Sequence, residues 1–212
     1  MTFSLVQSVG GSGTSKAYGS NNAAGNLLIA CALNFGGSSY SVPTDSAGNT
    51  HWTLAAQTNG FQEVSVYIWY CWNSKAGANT VTFSATTNDL WIAEYSGVQS
   101  TSDPLDNGAA AFSGTGYVAT ASPAAVSISP LVSGDLCVAW GNVGNATPVA
   151  GTGLVSAYTS GSEMAEWGTL ASAGAFDPGL LSTVDQLLIG QADHGLARHE
   201  GPIRDPCPDW RR

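Results

Sequence analysis

Apolar and polar positions alternate in short segments along this chain, and clusters of Gly, Ser, Asn, Asp and Pro separate them. That period of two predicts extended strands with side chains pointing to opposite faces. The predicted strands lie at 2–9, 15–20, 26–35, 51–58, 63–73, 79–86 and 89–97, then at 125–130, 134–143, 153–160, 164–171 and 186–192. Turn chemistry marks the breaks, as in "SNNAAGN", "NFGGSS", "SKAGANT", "GNATPVAGTG" and "FDPG". No segment sustains helical periodicity over three turns. In "EVSVYIWYCWN", Val64, Val66, Ile68, Tyr70 and Trp72 share one face, while Ser65, Tyr67, Trp69 and Cys71 share the other. Both faces are apolar or aromatic, so this strand belongs at the centre of a sheet covered on both sides. In "DLWIAEYSG", Trp91, Ala93 and Tyr95 oppose Leu90, Ile92 and Glu94, which leaves Glu94 at the end of an apolar face. A carboxylate there is expected to accept hydrogen bonds from loop amides.

Many short strands with regular turn signals predict an all-β fold, a single antiparallel β-sandwich of jelly-roll type spanning 1–190. "GNLLIACALNFG" and "GDLCVAWGNVGN" echo one another weakly, without establishing a repeat. A composition shift sets 191–212 apart as an irregular tail, read as foreign or disordered: four of the six basic residues, two of the three His and three of the nine Pro lie there. Charged residues make up only 10% of the chain, against about a quarter in ordinary domains. Ser, Thr, Asn and Gly provide the polar surface instead. The formal net charge of -9 opposes phosphates and anionic lipid, so no nucleic acid is expected as a partner. A neutral ligand or a cation is compatible. No apolar run is long enough for a membrane helix, so no membrane span is expected, and "MTFSLVQSVGG" has neither the basic start nor the apolar core of a signal peptide. Cys31, Cys71 and Cys137 sit in apolar runs, and with Cys207 they match no zinc spacing. Buried thiols are the simpler reading, and one disulfide between neighbouring strands stays open.

"AAGNLLIA", "TDSAGNTHW", "NSKAGANTVTFSA" and "IAEYSGV", in this order, resemble a β-sandwich domain common in large bacterial extracellular and surface proteins. There it often accompanies fibronectin-like or carbohydrate-binding modules. The resemblance covers roughly residues 2–190 and implies an extracellular or cell-surface module within a larger polypeptide. It implies no particular activity. Members usually close with a strand of the form W-x-I-x-A-A-F, which "STVDQLLIGQADHG" matches only in part.

Candidate chemistry falls into three groups. In "TDSAGNTHW", Asp45, Gly48 and Asn49 suit a turn between strands, and Asp45 and Asn49 with backbone carbonyls could also hold calcium. The EF-hand pattern is broken, since Ala47 and Gly48 stand where ligands alternate and no acid follows at the required distance. A Ser–His–Asp arrangement has weak support: no nucleophile elbow occurs, and His51 is the only imidazole outside the tail residues His194 and His199. The acids Glu94, Glu163 and Glu166 are the catalytic candidates of a hydrolase. Glu163 and Glu166 are three apart, hence on opposite faces if extended. Finally, Trp52, Trp69, Trp72, Trp140, Trp167 and Tyr158 are candidates for stacking on sugar rings, with Asn34, Asn73 and Asn142 near strand ends to bond hydroxyls. The favoured expectation is a carbohydrate-binding or adhesion module. The alternative is a hydrolase of glycosidic, ester or lactone bonds, using the acids and a bound calcium.

Overall fold

A computed structural model describes residues 2–36, 39–61, 64–106, 133–142, 147–171 and 183–189. The strands predicted at 125–130, the tail 191–212, Cys207, His194 and His199 lie outside them. The described residues form an all-β structure of ten strands and no helix: β1 (Ser4–Ala17), β2 (Leu27–Asn34), β3 (Thr44–Asp45), β4 (Trp52–Phe61), β5 (Val64–Cys71), β6 (Thr80–Ser96), β7 (Leu136–Asn142), β8 (Val155–Ser160), β9 (Glu163–Thr169) and β10 (Thr183–Ile189). One sheet has the order β1-β6-β2-β5-β4, with β3 added to β6; the other has the order β10-β7-β9-β8. Every pairing is antiparallel. The sheets come from consecutive parts of the chain, and the crossing between sheets that defines a jelly roll is not among these strands.

The core follows from the alternation. Leu27, Ile29, Cys31 and Leu33 of β2, Val66, Ile68 and Tyr70 of β5, and Trp91, Ala93 and Tyr95 of β6 meet Leu136, Val138 and Trp140 of β7 and Ala165 of β9 between the sheets. The opposite face of the first sheet is covered as well. β6 is long enough to fold over it, so that Val81 and Phe83 pack in one cluster with Trp69, Leu90 and Ile92. Its first half lies between the end of β1 and the short β3, in the registers Ser15↔Thr82 and Thr44↔Thr82. Hence β5 is buried on both faces, as its two apolar stripes predict.

Two pairs of predicted strands prove to be single ones. The segments 2–9 and 15–20 join into β1, whose register shifts lie between Leu5 and Gln7 and on both sides of Gly13. Gly11 and Gly13 have positive φ, 130° and 123°, a conformation that side chains resist. The segments 79–86 and 89–97 join into β6 across the polar "TTND", a stretch that resembles a turn in sequence. Cys31, Cys71 and Cys137 are buried thiols, none of them in a disulfide. Cys31 faces the space between the sheets and Cys71 the outer side of the first sheet, so no disulfide joins these neighbours.

Candidate functional site

The turn between β3 and β4 builds an open cleft. Asp45 accepts the Asn49 backbone N–H at 3.2 Å through Oδ1, and its Oδ2 accepts the indole N–H of Trp52. Gly48, at a φ of 70°, closes the turn through its N–H to the Asp45 carbonyl. Asn49 Oδ1 accepts the Lys75 backbone N–H at 2.8 Å, and the Lys75 ammonium donates to the Gly48 carbonyl at 2.6 Å. The cleft has a volume of about 460 Å³, and Val42, Thr44, Asp45, Asn49, Thr50 and Trp52 are among its walls. Trp52 is half-buried, its ring resting on the outer cluster of the first sheet.

Calcium takes six to eight oxygens. The side-chain oxygens of Asp45 and Asn49 already accept hydrogen bonds from the chain itself, and Lys75 brings a positive charge to the turn. No group of three or more His, Cys, Asp or Glu suited to a metal occurs among the described residues. The turn thus uses these oxygens for its own hydrogen bonds. Nor does Asp45 orient His51: the His51 ring stacks on Trp72 at 4.1 Å and 3°, with Nδ1 at 3.3 Å from the Trp72 carbonyl.

Of the six aromatic candidates, Trp52 lines this cleft and the other five do not. Trp69 and Trp140 are fully buried and offer no ring face to solvent. Trp69 stacks on Tyr67 at 5.1 Å, and Trp140 lies 6.1 Å from Tyr158. Trp167 packs edge-on against Tyr95 at 5.4 Å. The three Asn candidates are spread apart. Asn34 caps the chain at Gly36, Asn73 takes a φ of 54°, and Asn142 is buried with its amide on Ser162 and Glu163.

The three acids do not converge. Glu94 shares the outer face of the first sheet with Leu90 and Ile92 and is fully buried. It accepts four hydrogen bonds, from Gln7 Nε2 at 2.7 Å, Asn22 Nδ2 at 2.9 Å, the Ala23 N–H at 2.8 Å and Asn26 Nδ2 at 2.7 Å. Burial pushes its carboxyl up, but these donors outweigh burial and hold it below its ordinary value. Glu163 shares the inner face of β9 with Ala165, taking the Asn142 amide at 2.7 Å. Glu166 faces the other way, fully buried; among the described residues it takes a hydrogen bond from the Gly151 N–H at 2.7 Å, and its Oε1 has no partner. Burial raises it to about 7, against the smaller opposing effect of that bond.

Two buried acids were not anticipated, Asp89 and Asp135. Asp89 is 4% exposed and continues the inward stripe of Trp91, Ala93 and Tyr95, a parity that could have identified it. It accepts the Tyr158 hydroxyl at 2.9 Å and so straps β8 to β6. Burial raises Asp89, opposed by its hydrogen bonds to Tyr158 and Leu90. Burial, with Asp89 and Glu163 nearby, pushes Tyr158 up to about 12. The ring reaches this position over Gly10, where a Cβ would lie 2.4 Å from it.

The motifs that carry the family resemblance thus bond to one another: "AAGN" to Glu94 of "IAEYSGV", and Asn49 of "TDSAGNTHW" to Lys75 of "NSKAGANT". Their role is to pin loops to the first sheet. No family model, no curated protein and no solved structure matches the chain.

Proposed function

We propose that this domain is an extracellular binding or adhesion module of a larger bacterial protein, and that it takes carbohydrate in the Trp52 cleft. The observation that carries the reading is a half-buried indole, fixed by Asp45, in a cleft whose other walls include hydroxyl and amide groups. An aromatic face stacks on the C–H face of a pyranose, and hydroxyls and amides bond its OH groups. A ring already held in place loses little freedom on binding. The sparse charge suits a neutral ligand. What weighs against the hydrolase alternative is the distribution of Glu94, Glu163 and Glu166 over three different faces. Calcium has no part in the proposal.

The test is retention of the protein on cellulose, xylan, mannan, chitin and starch. Wild type should be retained by at least one of them, and Trp52→Ala, confirmed as folded by circular dichroism, should lose at least about tenfold in affinity, or about 1.4 kcal/mol. Retention by none of these, or unchanged retention of Trp52→Ala, counts against the reading.

A further inference from the structure

We propose that the Trp52 cleft is one end of a two-subsite groove and that its ligand is a neutral oligosaccharide of at least two residues. The inference rests on the carbohydrate reading above. A second depression, of about 260 Å³, is lined by Ser41, Val42, Thr44, Thr82, Phe83 and Ser84. Val42 and Thr44 also line the Trp52 cleft, so the two hollows share a wall. Ligand pockets usually run from about 300 to 1,000 Å³. The smaller hollow falls below that range, and the wall it shares with the larger one lets it serve as an extension of it.

The two hollows lie on paired strands. β3 pairs with β6 in the register Thr44↔Thr82 and Asp45↔Val81, which ties the Trp52 turn to the strand that carries the second hollow. Exposed hydroxyls of Thr44, Thr82 and Ser84 stand along these strands. Ser84 Oγ accepts the Ser41 N–H at 3.0 Å, which leaves its own proton to donate outward. Val42, 45% exposed, forms an apolar ridge between the hollows on which a sugar C–H face can rest. No ionisable side chain lines the second hollow, so it selects neutral units and rejects uronates, whose charge would go unpaired.

The experiment titrates the full chain with cello-, xylo-, manno- and chito-oligosaccharides of one to four residues, following Trp fluorescence and heat. For the series that binds, the disaccharide should bind at least about tenfold more tightly than the monosaccharide. Thr82→Arg should erase that gain and leave monosaccharide affinity unchanged, whereas Trp52→Ala should weaken both. Ser84→Arg repeats the test should Thr82→Arg fail to fold. Equal affinity for one and two residues, or a disaccharide gain that survives the Arg variants, overturns the second subsite and leaves the first standing. Failure of every series, or normal binding by Trp52→Ala, overturns the carbohydrate reading and the second subsite together.

Discussion

Glu166 is the buried group whose cost can be read most directly. Its carboxyl is fully enclosed on the outer face of the second sheet, takes one backbone hydrogen bond among the described residues and lies near the neutral Cys137 thiol, which burial holds protonated. Its pKa rises from an ordinary 4.5 to about 7. At pH values below 4.5 the acid is protonated in both the folded and unfolded chain and costs nothing. Between 4.5 and about 7 the unfolded chain loses the proton and the folded one keeps it, so stability falls as pH rises. Above about 7 the full penalty stands, about 3 kcal/mol. Glu166→Gln keeps an acceptor for the Gly151 N–H and carries no charge. Melts of both proteins at pH 4, 5.5, 7 and 8.5 should therefore coincide at the lowest pH and diverge upward. At pH 8.5 the variant should be the more stable by about 3 kcal/mol, or roughly 6–12 °C in Tm for a domain of this size. A difference between the two proteins that does not change with pH would refute the argument.

Two further substitutions probe the polar straps. Glu94→Gln turns one acceptor into a donor against four donors and should cost about 2–4 kcal/mol in urea unfolding. Because the folded carboxyl of Glu94 sits below its ordinary value, its stabilisation is present at neutral pH and lost as pH falls below about 4.5, so the cost should shrink in acid. Gly10→Ala drives a methyl into the Tyr158 ring and should cost about 1–3 kcal/mol. In a Tyr158→Ala background that cost should drop below about 0.5 kcal/mol, as a double-mutant cycle will show.

Much of the sandwich was legible because burial imposes a period of two. The two apolar stripes of β5 place it inside a sheet, and the alternation of 89–97 places Glu94 at a strand end. The breaks were harder to read. Gly11 and Gly13 serve a bulged strand and "TTND" a continuous one, though both use the residues of turns. β3 has two residues, too few for any periodicity, and only its pairing with β6 makes it a strand. The site was legible in part. The Asp45 turn and Trp52 both stood out, yet their hydrogen bond depends on how β3 and β4 approach, which sequence spacing does not encode. Counting Trp residues could not separate Trp52 from Trp69 and Trp140, since a strand covered on both faces buries rings of either parity.

On the carbohydrate reading, ligand meets the chain at Trp52 while Trp69, Trp91 and Trp140 serve the core. It is tested most directly by indole N–H signals in a ¹⁵N-correlated NMR spectrum during titration with the disaccharide that binds. The Trp52 signal should shift, with those of the buried Trp69, Trp91 and Trp140 fixed. A Trp52 signal that stays in place while the signal of Trp72 or Trp167 moves would contradict it.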